Sequence, residues 1–269
     1  MTHPAEIFRA LHVKGDPFIM VNIWDQGSAK MMQSMGAKAL ATSSAAHAFT
    51  MARPDGGTLT RDEALSHASD ILSVTTLPLQ GDFENGFGDD PDSCAETVRL
   101  AGEIGLAGIC IEDIRTDDFT AYDFDLAVER MKAAAAAARA LPNDFVLTAR
   151  ADGLLRGVYD VDEAIKRLQA FEAVGSDCLY APIPPDMDAL AQICAAVTAP
   201  VNALVAGGYV KQSLQDYADI GVARISLGSS LARITHRVIY DAATAMLENG
   251  DFNPLGVSIG SGKIDRLLN

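Results

Sequence analysis

A short junction recurs four times in this chain: a helical pattern ends at a glycine, and an apolar run follows at once. The four copies are Ser34-Met35-Gly36-Ala37, Glu103-Ile104-Gly105-Leu106, Ala173-Val174-Gly175-Ser176 and Asp219-Ile220-Gly221-Val222. Glycine is favoured where a helix ends, because it enters the left-handed backbone region without steric cost. The repeated step from helix to strand predicts β/α alternation around a parallel sheet.

Eight short apolar runs are candidates for the strands of that sheet. They are Phe18–Trp24, Ala37–Thr42, Leu77–Phe83, Ala107–Glu112, Phe145–Ala149, Asp177–Ala181, Val201–Val205 and Ala223–Leu227. Most are nearly continuous in apolar residues, as expected for strands covered on both faces, so we expect apolar strand interiors and polar strand ends. Eight β/α units in about 250 residues predict an α/β fold of the (β/α)8, or TIM-barrel, type.

A doubly wound sheet is the alternative architecture. It calls for a glycine-rich phosphate turn after the first strand, and the segment Trp24-Asp25-Gln26-Gly27-Ser28 lacks the GxGxxG pattern. No linker-like break in composition divides the chain, so we interpret residues 1–269 as one barrel domain. A helical pattern from about Ser230 to Leu247 and the tail after it form a C-terminal segment, about residues 229–269.

Charge and composition narrow the possible partners. The chain has 269 residues, with 21 Lys and Arg against 36 Asp and Glu, for a net charge of −15. This balance argues against binding to nucleic acid or to anionic lipid, both of which require a basic face. No apolar run approaches the roughly 18 residues of a membrane helix. The first residues do not resemble a secretory signal, and the four cysteines form no CxxC pair, so we expect a reducing, cytoplasmic setting.

Carboxylates are concentrated where the third and fourth strands end. Asp82 and Glu84 are two residues apart, so on an extended backbone they point the same way, and Glu112 ends the next strand. Neighbouring strands lie about 4.8 Å apart, so the three side chains can share one centre. Clustered carboxylates repel one another unless a cation or proton intervenes, and oxygen ligands alone favour Mg²⁺ or Mn²⁺. The alternative is a set of solvated acids that cap the following helices.

Other strand ends offer groups that bind anions. Arg150, after the fifth strand, could clamp a carboxylate, or it could pair with Asp152. The segment Ser43-Ser44-Ala45 offers hydroxyls and successive backbone amides. Asn202, near the end of the seventh strand, could orient a substrate carbonyl through its amide, and we rank it above Tyr180.

Several sequence blocks, in order, resemble the isocitrate lyase / phosphoenolpyruvate mutase superfamily along essentially Pro17 to Leu247. The block from Gly81 to Gly88 is similar to the D-x-D-x-G-[YF]-G motif, with Glu84 in place of the second Asp. The other blocks are Ala41-Thr42-Ser43-Ser44-Ala45, Arg53-Pro54-Asp55, Ala107-Gly108-Ile109-Cys110-Ile111-Glu112-Asp113 and Thr148-Ala149-Arg150-Ala151-Asp152. Together they identify the chain as a member of this superfamily.

The resemblance implies a Mg²⁺-dependent barrel enzyme that acts on a small 2-oxo acid through an enolate. It assigns direct contact with the metal to Asp82, and it assigns Asp55, Glu84 and Glu112 to metal-bound waters. The substrate carboxylate would lie against Ser43 and the amides of Ser44 and Ala45, with Arg150 on another substrate oxygen. The resemblance also implies a homo-oligomer, either a dimer or a tetramer built from two dimers, in which the last helix is exchanged between subunits.

Two departures from the superfamily leave the substrate open. The region Ile114–Tyr122 contains neither the K-K-C-G-H segment of the isocitrate and methylisocitrate lyases nor the K-x-F-P-K gate of the mutases, and Ala181-Pro182 stands where relatives carry a functional His or Glu. Three functions therefore stay open. They are a lyase that decarboxylates or cleaves a 2-oxo or hydroxy acid, a phosphonomutase-type enzyme acting on a P–C bond, and a non-catalytic 2-oxo-acid binding protein.

The loop from Arg115 to Phe124 lies where relatives place a lid. It is rich in acids and poor in apolar side chains, so we expect it to be mobile in the empty site and to close over substrate. Arg115 or Tyr122 would then act as the catalytic proton donor. The alternative is a static, solvated connection.

Overall fold

The computed structural model describes residues His3 to Asn269 and contains a closed barrel of eight parallel strands in sequence order. The strands are β1 Phe18–Asn22, β2 Ala39–Ala41, β3 Leu79–Asp82, β4 Gly108–Glu112, β5 Val146–Arg150, β6 Cys178–Tyr180, β7 Val201–Leu204 and β8 Arg224–Ser226. Every strand but β5 lies within its predicted run, and β5 extends one residue further, to Arg150. The (β/α)8 prediction is confirmed, and the doubly wound alternative is excluded.

Helices surround the barrel and continue beyond it at the C-terminus. They are α1 Pro4–Ala10, α2 Gln26–Ser34, α3 Ser44–Thr50, α4 Arg61–Leu72, α5 Pro91–Glu103, α6 Phe124–Ala140, α7 Gly153–Arg156, α8 Val161–Ala173, α9 Met187–Ala196, α10 Leu214–Asp219, α11 Ser230–Asn249 and α12 Ser261–Leu268. Short 3-10 turns occupy Gly207–Lys211 and Asn253–Val257. Within residues 3–269, no helix is both long enough and apolar enough to span a membrane.

The four repeated glycines end their helices as predicted. Gly36, Gly105, Gly175 and Gly221 all have positive φ angles, between 87° and 104°. A residue with a Cβ is strained in this conformation, so glycine is the residue that lets the chain turn there from helix to strand. The sequence periodicity and the backbone geometry therefore report the same β/α repeat.

The barrel interior differs from the expectation that the strand interiors are apolar. The guanidinium of Arg224, on β8, is 1% exposed and donates to Asn202 Oδ1 at 2.8 Å, Gln80 Oε1 at 2.8 Å and Thr148 Oγ1 at 3.2 Å. Nη1 of Arg224 also lies 3.1 Å from Nε2 of His12. The prediction of apolar interiors is wrong at these positions. One polar side chain in an apolar run is tolerated inside a barrel when its neighbours complete its hydrogen bonds.

The C-terminal segment lies outside the sheet. Only Ala232 of α11 is buried, whereas Ile234, Val238, Ile239 and Tyr240 are each more than half exposed. α12 packs on α2, where Ser34 Oγ donates to the carbonyl of Leu267 at 2.7 Å. The helix predicted from Ser230 is present, but the chain alone leaves one of its faces uncovered.

Candidate active site

The carboxyl ends of the strands surround a cavity of about 140 Å³ at the mouth of the barrel. Eight of the predicted site residues line it: Ser43, Ser44, Ala45, Asp55, Asp82, Glu84, Glu112 and Arg150. The strand register explains this convergence. Asp82 pairs with Cys110 across β3 and β4, and Glu112 pairs with Arg150 across β4 and β5, so these neighbouring strands end side by side. The sequence-predicted cluster therefore exists as a single site.

Asp82 is held by the first turn of α3. Its Oδ2 accepts hydrogen bonds from the amide of Ser44 at 2.9 Å and from the Ser44 hydroxyl at 3.0 Å. The Ser43 hydroxyl caps the same helix by accepting from the amide of Ala46 at 3.3 Å. The serine segment therefore orients Asp82 in this conformation. Whether it also binds a substrate carboxylate, as the resemblance implies, stays a prediction.

Glu84 is buried in a conformation that L-residues rarely adopt. Its φ angle is 45°, and its Oε1 accepts from the amide of Gly57 at 3.1 Å. Burial raises the pKa of Glu84 to about 7, and the nearby charges of Asp82 and Asp55 act in the same direction. Burial and Asp82 likewise raise the pKa of Asp55. A strained backbone and crowded carboxylates are found together where a bound ligand compensates for both.

Arg150 is enclosed by acids. Its Nη1 lies 2.9 Å from Glu112 Oε1, its Nε donates to Asp152 Oδ1 at 2.6 Å, and its Nη2 also contacts Asp152. Asp82 Oδ1 is 3.8 Å from Nη1. Burial raises the pKa of Glu112 well above its usual range, although Arg150 opposes the shift. Of the two interpretations left open for Arg150, the ion pair with Asp152 is the arrangement present.

Three predicted site residues lie away from this cavity. Asn202 is below it in the barrel, where its Nδ2 donates to Ser226 Oγ at 2.8 Å and its Oδ1 accepts from Arg224. Tyr122 is buried, donates its hydroxyl hydrogen to Asp89 Oδ1 at 2.6 Å and accepts from Asn85 Nδ2 at 2.9 Å. Arg115 pairs with Asp89 on the outer side of the same ring. Neither Tyr122 nor Arg115 lines the cavity at the mouth, whereas Asn202 lines a smaller cavity beneath it together with Asp82 and Arg150.

The loop after β4 reaches the cavity through other side chains. A bridge between Ile114 and Ala121 closes the loop, and Thr116 and Phe119 line the cavity. The Phe119 ring sits so close to Gly56 that a Cβ there would lie 2.7 Å from it. The loop after β4 thus meets the loop after β2 over the site. Its mobility stays a prediction, whereas its contact with the site runs through Phe119.

Two further side chains belong to the cavity. Tyr180 ends β6, and the Arg150 guanidinium lies 5.1 Å from its ring centre. The ranking of Asn202 above Tyr180 as a substrate contact stays a prediction. The strand pairing of Arg150 with Tyr180 places them together. Arg156 ends α7 and also lines the cavity. It lies four residues after Asp152, so the two side chains share a helix face, but a four-residue helix offers no periodic pattern from which the sequence could have shown this.

The residues present fit a divalent oxygen-bound cation. No three His, Cys, Asp or Glu side chains within residues 3–269 form a ready-made metal cage. Mg²⁺ does not require one, because it keeps several waters and binds through one or two carboxylates. Burial together with mutual repulsion raises the pKa values of Asp55, Glu84 and Glu112, and a cation would relieve this. Asp82 would hold the ion, with the other carboxylates on its waters.

A family model described as phosphoenolpyruvate phosphomutase matches residues 8–247. The chain belongs to the isocitrate lyase / phosphoenolpyruvate mutase superfamily. It is thus an enzyme of that superfamily's carbon–carbon lyase type. The 2-methylisocitrate lyase of Escherichia coli K12 is 30% identical over 74% of this chain and 69% of its own length. The oxaloacetate decarboxylase of Paraburkholderia xenovorans LB400 is 29% identical over 84% of this chain and 77% of its own.

Solved structures show the same barrel. A candidate lyase/mutase from Burkholderia cenocepacia J2315 is 43% identical and superposes with a TM-score of 0.93, covering 98% of this chain and 94% of that one. A phosphonopyruvate hydrolase solved with oxalate and Mg²⁺ is 21% identical, with a TM-score of 0.86 over 100% of this chain and 95% of that one. The second likeness concerns the fold alone.

Proposed function

We propose that this protein is a Mg²⁺-dependent lyase that acts on a small 2-oxo or hydroxy acid through an enolate. The favoured reaction is decarboxylation of an oxaloacetate-type substrate or retro-aldol cleavage. The observation that carries the proposal is the small cavity that Asp55, Asp82, Glu84 and Glu112 line together with Arg150. The name of the Paraburkholderia relative and the Mg²⁺ and oxalate in the hydrolase structure support it.

The chain's own groups have separable tasks in this reaction. When bound, Mg²⁺ supplies a Lewis acid that stabilises negative charge on the substrate oxygen, an effect worth several kcal/mol. Asp82 holds the ion while Ser44 orients Asp82. Phe119 and Gly56 meet above the site and exclude water from the enolate. Decarboxylation needs only this charge sink and a later protonation, so it tolerates the absence of a lyase-type cysteine.

The same cavity leaves two competing functions to be tested. A P–C bond enzyme needs a gate residue that handles the transferring group, and the loop presents Thr116 and Phe119 there instead. A non-catalytic 2-oxo-acid binder would retain the site without turnover. The family model's description and the hydrolase neighbour name P–C enzymes, but no side chain that lines this cavity favours either alternative.

A substrate panel tests the function. The protein, with Mg²⁺, Mn²⁺ or chelator, is assayed against 2-oxo acids, 2-hydroxy acids and phosphonopyruvate by following pyruvate, glyoxylate, phosphate and phosphoenolpyruvate. We expect metal-dependent cleavage of a C–C bond, lost in Asp82→Asn. Turnover of phosphonopyruvate alone would support the P–C alternative. Binding of oxo acids without turnover of any would support the third.

We also propose that α11 completes a homo-oligomer, a dimer or tetramer. Its uncovered apolar side chains, Ile234, Val238 and Ile239, form a face that the chain itself does not bury. Removing residues after Gly228 should leave a chain that aggregates or unfolds. A stable, monomeric barrel after this truncation, measured by light scattering, would contradict helix exchange.

A further inference from the structure

The cavity contains two arginines with opposite degrees of engagement. The guanidinium of Arg150 is surrounded by Glu112 and Asp152, which take up all three of its nitrogens. Arg156 lies four residues after Asp152. Only its Nε donates a hydrogen bond, to Asp152 Oδ2 at 3.3 Å. Within residues 3–269, its terminal nitrogens Nη1 and Nη2 make no hydrogen bond. Arg156 is therefore the cavity cation that still has donors to offer.

Arg156 is also held in place while Asp152 engages only one of its nitrogens. Its Cζ lies 4.4 Å from the ring centre of Phe119, so the guanidinium stacks on the loop that covers the site. Its backbone amide donates to the carbonyl of Asp152 at 3.2 Å, which fixes the base of the side chain. The side chain is 33% exposed, so its outer edge remains reachable from the cavity. A planar guanidinium held by one face and one nitrogen presents its other edge for bidentate binding of a carboxylate.

We propose that Arg156 binds a second, distal carboxylate of the substrate and so makes this enzyme select dicarboxylic 2-oxo acids. The inference rests on the proposed function for the reacting end of the substrate, which faces Asp82. Arg150 is then a positioning residue, because it forms ion pairs with Glu112 and Asp152. A substrate with a neutral distal end leaves Arg156 over Phe119 without an acceptor.

The distal carboxylate also ties recognition to closure. Phe119 approaches Gly56 over the site, and the same ring carries Arg156 on its face. A carboxylate bound by Arg156 therefore lies next to the contact that closes the loop. Dicarboxylates should favour the closed arrangement, because their charge engages the side chain stacked on the closing residue.

The test compares two ligands that differ only at the distal end, 2-oxoglutarate and 2-oxopentanoate, in which a methyl replaces the distal carboxylate. Neither has a carboxylate β to the ketone, so neither can be decarboxylated to an enolate during the measurement. Dissociation constants with Mg²⁺ are measured by calorimetry for wild type, Arg156→Gln, Arg156→Lys and the surface control Arg99→Gln. We expect Arg156→Gln to weaken binding of 2-oxoglutarate at least tenfold and of 2-oxopentanoate less than twofold. Arg156→Lys should fall between, and Arg99→Gln should match wild type. Thermal midpoints report whether each variant is folded.

Equal weakening of both ligands by Arg156→Gln, or no weakening of either, would overturn the inference. The proposed function fails by a different result. If wild type binds 2-oxoglutarate through Arg156 but cleaves no acid in the substrate panel, the lyase proposal fails and the role of Arg156 in specificity is kept. If turnover is normal and Arg156→Gln still prefers 2-oxoglutarate over 2-oxopentanoate, the lyase proposal is kept and Arg156 has no such role.

Discussion

The two ends of the barrel interior bury opposite charges, and they differ in how those charges are compensated. At the mouth, Asp55, Glu84 and Glu112 crowd around Asp82, with their pKa values raised by burial and by one another. Beneath them the Arg224 cation is surrounded by neutral acceptors from Gln80, Thr148 and Asn202, and none of its partners within residues 3–269 is a carboxylate. The lower network is complete within the chain. In the upper cluster, the cation proposed above would balance the crowded carboxylates.

The largest effect is expected where the upper cluster is broken. Asp82→Ala should weaken Mg²⁺ binding more than 100-fold, because it removes the direct ligand, and should abolish turnover. Glu84→Ala should cost about tenfold, since groups that act through water are worth 10–100-fold. Calorimetric titration with Mg²⁺ measures both. Equal Mg²⁺ affinity in wild type and Asp82→Ala would refute the metal assignment and, with it, the contrast between the two ends.

Breaking the lower network should affect folding and leave the metal alone. Arg224→Met leaves Asn202 Oδ1 and His12 Nε2 without a donor, whereas Gln80 Oε1 keeps the hydrogen bond from the Thr148 hydroxyl. Each unsatisfied buried group costs about 1–3 kcal/mol. We expect the free energy of unfolding to fall by about 3 kcal/mol in urea titrations, with Mg²⁺ affinity within threefold of wild type. Arg99→Met, on the surface of α5, serves as the control. A change below 1 kcal/mol would show that Arg224 is no structural element.

The lower network should also give the fold a dependence on pH. His12 donates its Nδ1 hydrogen to the carbonyl of Phe8, so its Nε2 accepts from Arg224. Burial, together with the Arg224 charge and the more distant Arg9, lowers the pKa of His12 to about 3. Below pH 6.5, His12 is therefore protonated in the unfolded chain but stays neutral in the folded chain. The free energy of unfolding then falls as the pH drops. The slope cannot exceed about 1.4 kcal/mol per pH unit.

Because His12 is partly exposed, we expect about 1 kcal/mol of its contribution to be lost between pH 7 and pH 5. His12→Gln keeps an acceptor for Arg224 without a titrating group, so its stability should decline less over this interval. Other histidines with lowered pKa values, such as His47 at about 4, leave a residual slope in both proteins. If the free energy of unfolding from urea titrations depends on pH identically in wild type and His12→Gln, His12 does not contribute to the pH dependence.

The smallest effects should come from the residues just outside the mouth. Tyr122→Phe loses hydrogen bonds to Asp89 and Asn85, which should lower stability by about 1 kcal/mol. Arg115→Ala removes a surface pair with Asp89 and should change stability less. Both should leave kcat within threefold of wild type on the true substrate. A drop of tenfold or more in kcat with unchanged Mg²⁺ affinity would restore them as the lid's proton donors.

The sequence predicted the strands and the upper site because both follow from local rules. Helix-ending glycines mark the β/α repeat, and carboxyl-end residues of parallel strands converge, so Asp82, Glu84 and Glu112 could be placed together before the structure. The Arg224 network could not, because a lone polar residue in an apolar run does not reveal which face of a short strand it occupies. Register decides that, and register depends on the whole barrel.

The same limit explains the ranking of side chains around the cavity. Tyr180 and Asn202 both lie near strand ends, yet one faces the mouth and the other hydrogen-bonds to Arg224 below. Arg115 and Tyr122 were placed by loop position alone, and the short bridge between Ile114 and Ala121 turns Phe119 inward instead. Arg156 belongs to a four-residue helix, too short for a periodic pattern to reveal its orientation.

The contact between Gly56 and Phe119 has a consequence for how this enzyme can vary. A methyl group at residue 56 would meet the Phe119 ring at 2.7 Å, too close for the two loops to touch as they do. Any larger residue there is a wedge between the loops. Such a residue would open the gap between the loops. Water would then reach the intermediate more easily, and product would leave faster. Product release often limits turnover in enzymes with closing loops. A mutation at residue 56 should therefore change both how well the intermediate is retained and how fast product is released, without altering a catalytic group.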